Sequence, residues 1–301
     1  LNYYDPATER FTRYELTANF SAAPEISSLL FDANQTLWVA TYGGGLFRWQ
    51  PQQQQFLPIA LPNLPNLAVN HINDIYVDPQ GGLWLALGDA PLRTIGQQQG
   101  GVLYQPADSA DWQQLHFAQT IGGVSVTRIR ATADGQIYAA SYGQGLFRYQ
   151  AAQQHFVKVP QPPALQQALL SDLSIDAEGG LWLSSYNADS RGGLWHFNVA
   201  DGWQHYPYSA EFSDGLPRSD LLGLYYDQQG ILWTISQAGF KGLSRFAKQI
   251  KTLPPGQPAH GLLPAPNVLG LDAVAADSLW LANREGGVVH FNPLTGKLQH
   301  W

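Results

Sequence analysis

Apolar and aromatic positions recur along the chain in short runs that are separated by polar turns. Six times, an apolar residue in one run is followed twelve positions later by an aromatic residue in the next run. The six pairs are Ile26/Trp38, Ile72/Trp84, Val126/Tyr138, Leu170/Trp182, Leu221/Trp233 and Val268/Trp280. The runs are rich in β-branched and aromatic residues and are bounded by turn-forming residues, which predicts short β-strands.

One copy of the pattern, in residues 26–59, predicts four strands that we name a, b, c and d. Their predicted bounds are Ile26–Phe31, Leu37–Thr41, Leu46–Trp49 and Phe56–Ile59. The a–b turn reads Asp-x-x-Gly or Asp-x-x-Gln in most copies, where Asp accepts hydrogen bonds from following backbone N–H groups and Gly takes the positive-φ position. Glycines in the segment TYGGGLF allow a tight turn between strands b and c.

The spacing of the repeat predicts the architecture. Successive strand-b aromatics are 46, 54, 44, 51 and 47 residues apart, which suits one four-stranded blade with loops of variable length. We therefore predict an all-β fold, a β-propeller of four-stranded antiparallel blades. The predicted blades are centred on Trp38, Trp84, Tyr138, Trp182, Trp233 and Trp280.

The c–d part of the pattern occurs once more at residues 1–14, where Leu1 aligns with Leu46. A sheet edge in a propeller is protected when the last blade is completed by both ends of the chain. We therefore predict seven blades, six complete and one partial at residues 1–14, with a six-bladed ring plus an extra hairpin as the alternative. Residues 1–301 are expected to form a single propeller domain of a longer polypeptide, with the seventh blade completed by residues before 1 or after 301.

Composition narrows the classes of partner. The net charge is −7 with only 16 Lys and Arg, which argues against nucleic acid or an anionic membrane because phosphate binding requires a basic face. The chain has no cysteine, which excludes disulfides and thiolate metal sites. The eight histidines are scattered, so we expect no metal site. We also expect no cofactor and no direct membrane contact by this segment.

The copies at 26–57 and 126–157 closely resemble the two-component regulator propeller repeat, which reads roughly I-x-x-L-x-x-D-x-x-G-x-L-W-x-G-T-x-x-G-G-L-x-x-Y/F. The other copies match with insertions or less closely. The resemblance implies the periplasmic sensor domain of a membrane-bound signalling protein with a histidine kinase or diguanylate cyclase output module. It also implies a small-molecule or oligosaccharide ligand and a homodimer formed through the full-length protein.

A ligand site is expected on the face where the b–c and d–a loops emerge. Long loops on a repeat scaffold are frequent sites of function, and the b–c turn is extended at Gly88–Gly100 and Asn187–Gly192. Tyrosines after strand b are suited to stacking on sugar rings. The predicted ligand-binding residues are Tyr42, Tyr142, Tyr186, Asp89, Arg93, Arg128, Asn187 and Arg191.

Arg128 stands at the third position of strand a, where neighbouring copies carry Asp74 and Asp172. The sequence leaves two interpretations open. Arg128 is either one member of an ion-pair ring with the two aspartates or an anchor for a carboxylate or sulfate group of a ligand.

Two other classes of function compete with ligand sensing. A protein-interaction scaffold would use a broad exposed patch instead of a discrete pocket. A propeller glycosidase or lyase is also compatible with the fold, but paired carboxylates do not recur at a defined place and no nucleophile elbow is present. We therefore expect no catalytic residues in this domain.

Overall fold

The computed structural model is built almost entirely from β-strands. It describes residues 1–5, 7–16, 24–91, 99–118, 120, 122–207, 216, 219–227, 230–236, 239–244, 249–252, 268–275, 278–283, 287–292, 295 and 297–300. A single turn of 3-10 helix at Leu165–Gln167 interrupts a connection in which the sequence predicted only a loop. Nowhere in these ranges is there a helix with the length and apolar character required to cross a bilayer.

The chain divides into two compact units, and the division passes through one blade. Unit 1 comprises residues 1–131, 135–139 and 148–158, and unit 2 comprises 132–134, 140–147 and 159–301. The strands of unit 1 are β1 (Asn2–Asp5), β2 (Arg10–Arg13), β3 (Glu25–Phe31), β4 (Leu37–Tyr42), β5 (Gly45–Gln50), β6 (Gln55–Pro58), β7 (Ile72–Val77), β8 (Leu83–Leu87), β9 (Gly101–Gln105), β10 (Gln113–Phe117), β11 (Val126–Ala131) and β14 (His155–Lys158). Strands β12 (Ile137–Ser141) and β13 (Gly145–Gln150) each have residues in both units.

The remaining strands belong to unit 2. They are β15 (Leu170–Ile175), β16 (Leu181–Ser185), β17 (Gly193–Asn198), β18 (Gly202–Tyr206), β19 (Leu221–Tyr226), β20 (Ile231–Ser236), β21 (Gly239–Ser244), β22 (Gln249–Thr252), β23 (Val268–Ala275), β24 (Ser278–Asn283), β25 (Gly287–Asn292) and β26 (Lys297–His300).

The sheets follow the predicted a-b-c-d order. Four separate sheets have the orders β3-β4-β5-β6, β15-β16-β17-β18, β19-β20-β21-β22 and β23-β24-β25-β26. An eight-stranded sheet contains the other two blades, β7–β10 and β11–β14, joined by a parallel pair between β10 and β14. Residues 1–14 form the two-stranded antiparallel hairpin β1-β2. All four strands predicted in residues 26–59 are confirmed to within one residue at each end.

A carboxylate in the a–b turn ties the turn to the strand-b tryptophan. In the turn that precedes β8, Asp78 Oδ1 accepts the backbone N–H groups of Gln80 and Gly82, and Asp78 Oδ2 accepts the indole N–H of Trp84 at 2.8 Å. The same indole bond, 2.7–3.1 Å long, is made by the pairs Asp32/Trp38, Asp176/Trp182 and Asp227/Trp233. In the blade without an indole, Tyr138 replaces the tryptophan and Thr132 replaces the aspartate. The hydrogen bonds of Asp within the turn were predicted from the sequence, whereas its hydrogen bond to the indole is revealed only by the structure.

Strand a carries a β-bulge near its start in five of the described blades. The register of the a–b pair shifts between Ile26 and Ser28 in β3, and between the first and third residues in β7, β15, β19 and β23. A bulge redirects the side chain of the extra residue, and in three of these strands that side chain donates a hydrogen bond to the start of strand a in the next blade. The bonds are Ser27 to Ile72 O at 2.5 Å, Asn73 to Val126 O at 2.9 Å and Ser171 to Leu221 O at 2.8 Å. Neighbouring blades are thus held together by polar contacts as well as by the core.

Candidate functional site

The three tyrosines predicted on the loop face occupy one equivalent position at the end of strand b. Each forms a β-bridge with the residue that precedes strand a of the next blade, in the pairs Tyr42/His71, Tyr142/Leu169 and Tyr186/Asp220. All three tyrosines are half-buried. The b–c turn and the d–a connection therefore meet within each unit, as expected for the loop face of a propeller.

In unit 1, the ring of Tyr42 stacks on the imidazole of His71, with centroids 4.5 Å apart and planes inclined by 28°. The contact is held by the Asn70 carbonyl, which accepts the N–H groups of Gly43 and Gly45 at 2.9 and 3.1 Å. Burial lowers the pKa of His71 below 6.5, and the negative charge of Asp89 opposes this shift. The fold therefore favours the neutral imidazole.

Asn73 connects His71 to the first extended b–c loop. Its Nδ2 donates to Gly88 O at 2.9 Å and to Asp89 O at 3.3 Å, in addition to the bond to Val126 described above. Gly88 N–H in turn donates to His71 O at 3.2 Å. Asn73 is 2% exposed, and its Oδ1 accepts no hydrogen bond from the described residues. Since a buried acceptor normally has a partner, this unsatisfied oxygen is an unusual feature of the described core.

Two arginines share one buried carboxylate beside Asn73. Arg128 donates from Nη1 to Asn73 O at 3.2 Å and lies 3.8 Å from Asp74 Oδ1. Arg130 Nη1 lies 2.5 Å from Asp74 Oδ2, and the side chain of Asp74 is only 3% exposed. The arginine side chains are 26% and 34% exposed. Both guanidinium groups therefore contact the Asp74 carboxylate and keep part of their surface in solvent.

Asp172, the second aspartate expected beside Arg128, belongs to unit 2 and binds backbone there. Its Oδ1 accepts the N–H of Leu173 at 2.8 Å, and its Oδ2 accepts the N–H of Leu224 at 2.9 Å. Asp74 makes the equivalent bond to Ile129 N–H at 3.1 Å. The third-position aspartates are thus also links between successive a strands.

In unit 2, the remaining predicted residues gather around the connection that contains Leu169. The N–H of Leu169 donates to Asn187 Oδ1 at 2.7 Å, and the carbonyl of Leu169 accepts the N–H of Tyr186 at 2.8 Å. Asn187 is 3% exposed, and its Oδ1 also accepts from Ser185 Oγ at 2.6 Å. Asn187 therefore shapes the loop, and its oxygen is occupied by structural bonds.

Arg191 and Asp189 form an exposed ion pair in the second extended loop. The distance from Arg191 Nη2 to Asp189 Oδ2 is 2.6 Å, and Arg191 Nη1 also donates to Gln167 O at 3.3 Å. Hydrogen bonds from the side chain and backbone of Arg191 lower the pKa of Asp189 to about 2. The charges of Arg191 and Asp189 therefore neutralise each other within this loop.

The predicted set therefore divides between the units. Unit 1 brings together Tyr42, Asp89 and Arg128, and unit 2 brings together Tyr142, Tyr186, Asn187 and Arg191. Arg93 lies outside the described residues. Sequence reasoning missed His71, Asn73 and Arg130. Only Arg130 could have been found from the sequence. Residues two positions apart in a strand lie on the same face of the sheet, so Arg130 was expected on the same side as Arg128.

Comparisons with known proteins agree with this architecture. The family model of the two component regulator propeller matches residues 66–89, which contain β7, β8 and His71. The resemblance expected from the repeat pattern is confirmed. Among curated proteins, none matches this chain.

Solved structures with a similar fold come from several classes of protein. The extracellular domain of a candidate hybrid two component system, BT3049 from B. thetaiotaomicron, matches with a TM-score of 0.67 and 17% identity over 92% of this chain and 34% of that chain. Virginiamycin B lyase from Staphylococcus aureus matches with a TM-score of 0.67 and 9% identity, over 92% of this chain and 84% of that chain. YCF48 bound to D1 peptide matches with a TM-score of 0.66 and 14% identity, over 96% of this chain and 86% of that chain.

These matches show that the fold is a β-propeller. The chain spans about a third of the length of the BT3049 domain. It is a propeller domain similar in fold to the extracellular domains of two-component sensors, and a propeller enzyme shares the same fold. Fold alone therefore does not decide the function.

Proposed function

We propose that this chain is an extracytoplasmic, periplasmic ligand-sensing propeller domain of a two-component-type signalling protein. The observation that carries the proposal is the contact chain of unit 1, in which Tyr42, His71, Asp89, Asn73 and Arg128 follow one another at the ends of the a and b strands. An aromatic ring, an acid, an amide and a cation that gather at strand ends and in an adjoining loop are the kinds of groups that recognise a small polar ligand. The match to the regulator propeller family and the fold of the BT3049 domain support the sensor class.

The ligand chemistry follows from these groups. The partly exposed guanidinium groups of Arg128 and Arg130 are able to bind an acidic group, and the ring of Tyr42 is suited to stacking on a sugar. We therefore propose a small molecule or short oligosaccharide that carries hydroxyl groups and one carboxylate. Binding would change how two sensor units pack in a homodimer of the full-length protein and so bias an output module.

The test is a thermal-shift screen of the folded chain against neutral oligosaccharides, acidic oligosaccharides and simple organic acids. A ligand that binds only the folded state raises the melting temperature by mass action. We expect a dose-dependent rise with an acidic saccharide that is strongly reduced in Arg128→Gln and in Tyr42→Ala. Arg148→Gln, at an exposed position of β13, is the matched control and should keep the full shift.

Other outcomes would favour the competing functions. A shift that survives both site variants would place the ligand elsewhere and overturn the proposed site. The absence of any shift, together with binding of a protein partner, would favour the interaction scaffold. Cleavage of a panel compound that depends on the folded chain would favour a glycosidase or lyase.

A further inference from the structure

Two histidines lie side by side where the outer strands of two blades meet. The parallel pair between β10 and β14 places His116 opposite His155 and Phe117 opposite Phe156. The rings of Phe117 and Phe156 stack on one face of this pair, with centroids 4.9 Å apart and planes inclined by 13°. Because side chains alternate between the two faces of a strand, His116 and His155 share the opposite face. His116 is exposed and His155 is half-buried.

The backbone that carries the two histidines is held in place by aromatic packing. Phe156 is fully buried, and its ring lies 6.4 Å from that of Trp84 and 5.3 Å from that of Tyr149. The N–H of Ala118 donates to Phe156 O at 2.8 Å, a bond that joins the two strands beside the histidine pair. All of these residues belong to unit 1. The spacing of the two histidines is therefore set within one compact unit.

The fold itself does not require histidine at this contact. The hairpin β1-β2 continues into the same kind of contact with β6, where Leu16 forms a parallel bridge with Phe56. The residues that precede this bridge are Glu15 and Gln55, and they correspond to the two histidines. A pair of histidines at the contact between β10 and β14 therefore points to a chemical role that packing does not explain.

Two imidazoles on neighbouring strands can supply two nitrogen ligands to one metal ion. Neighbouring strands lie about 4.8 Å apart, and each imidazole ligates through Nδ1 or Nε2 at about 2 Å. We propose that His116 and His155 chelate one divalent late transition-metal ion, and that Cu²⁺ binds more tightly than Ni²⁺ or Zn²⁺. Among the described residues, no group of three or more His, Cys, Asp and Glu is arranged to hold a metal, so water completes the coordination.

The bound ion would connect two blades. Strand β10 belongs to the blade β7–β10 and β14 to the blade β11–β14, and the register between them consists of the two residue pairs given above. A metal bridge would therefore strengthen a short contact at the outer edge of the sheet. Its binding to the folded chain would raise the melting temperature by mass action. The proposed metal site shares no residue with the ligand site proposed above.

The test is isothermal titration of the full, untagged chain with Cu²⁺–iminodiacetate, a complex whose chelator leaves adjacent positions open for two imidazoles. We expect one complex to bind per chain. His116→Asn, His155→Asn and the double variant should each lose at least tenfold in affinity and to the same extent, because chelation needs both rings and their effects are not additive. His300→Asn, at an exposed position, is the matched control and should keep the parent affinity.

Binding that survives the double variant would place the metal elsewhere and overturn the proposal. Small losses that add in the double variant would also overturn it, because the two rings would then bind separately. The melting temperatures of the variants without metal should equal that of the parent, which separates loss of binding from loss of folding.

Electron paramagnetic resonance of the bound Cu²⁺ gives an independent readout. The nitrogen couplings should show two imidazoles in the parent chain and one in His116→Asn at saturating metal. A parent spectrum with a single imidazole would contradict chelation by the pair. The complex should also raise the melting temperature of the parent but not that of the double variant, and an equal rise in both would overturn the link between the blades.

Discussion

Aspartate carboxylates have different structural roles at different positions of this chain, because each one can accept several hydrogen bonds. Asp78 accepts hydrogen bonds from the backbone of a turn and from an indole. Asp74 interacts with two arginines and accepts a backbone N–H, and Asp189 forms an ion pair with one exposed arginine. Their burial differs accordingly, since Asp74 and Asp78 are almost fully buried whereas Asp189 is exposed. The cost of losing a carboxylate should follow this burial.

For the buried case, we expect Asp78→Ala to lower the free energy of unfolding by about 2–4 kcal/mol, because it leaves the Trp84 indole and two backbone N–H groups without an acceptor. Denaturant unfolding measures the change. Asp108→Ala, at an exposed position, is the control and should stay within about 0.5 kcal/mol of the parent. Equal losses in the two variants would refute the role of the Asp78–Trp84 bond.

A second prediction at the residue scale concerns His71, whose pKa is lowered in the folded state mainly by burial. The unfolded chain then binds the proton more readily, so the stabilisation is complete above pH 6.5 and is lost as the pH falls through the folded pKa. His71→Gln should remove this component of the pH dependence, measured by denaturant unfolding at a series of pH values. Above the unfolded pKa, where His71 is neutral in both states, parent and variant should have the same slope. An unchanged acid slope in the variant would contradict the prediction.

At the scale of elements, the a–b turns share one backbone conformation. The fourth residue of the turn has positive φ in the five a–b turns for which the structure describes it, and it is glycine at Gly81, Gly135, Gly179 and Gly230. The first blade instead places Gln35 there, with φ of 60°. A side chain in this region is strained because its Cβ approaches the following carbonyl oxygen.

Gln35→Gly should therefore stabilise the chain by up to about 1 kcal/mol, the relief of strain being partly offset by the greater flexibility of glycine in the unfolded state. The reverse change, Gly135→Gln, meets no atom within 4 Å of the added Cβ and should destabilise through backbone strain alone. Thermal unfolding of both variants measures the pair of effects. A loss of stability in Gln35→Gly would show that this turn depends on its side chain.

At the scale of the whole molecule, the chain combines a net charge of −7 with few cationic side chains. Arg128 and Arg130 of unit 1 are only partly exposed and share one buried carboxylate, that of Asp74. We expect no binding to a labelled DNA duplex at physiological salt, measured by fluorescence anisotropy, because a net negative charge with few cationic side chains opposes the binding of phosphates. A small basic protein serves as the positive control. Salt-dependent binding by this chain would overturn the exclusion of nucleic acid.

The repeat was readable from sequence because it is local. Strand bounds, the turn glycines and the aspartate at the start of most a–b turns all depend on residues within a few positions of one another. The candidate site was predicted only in part for the opposite reason. His71, Asn73 and Arg128 come from different blades or connections, and the contacts among them arise only after the strands have paired.

The sequence by itself determined the strands, their grouping into blades and the family resemblance, because hydrophobic periodicity and turn chemistry act over short distances. The tertiary structure decided which side chains meet. It linked each turn aspartate to an indole, directed the bulged residue of strand a toward the next blade, placed two arginines on Asp74 and brought His116 opposite His155. These outcomes depend on packing between blades, which no local pattern encodes.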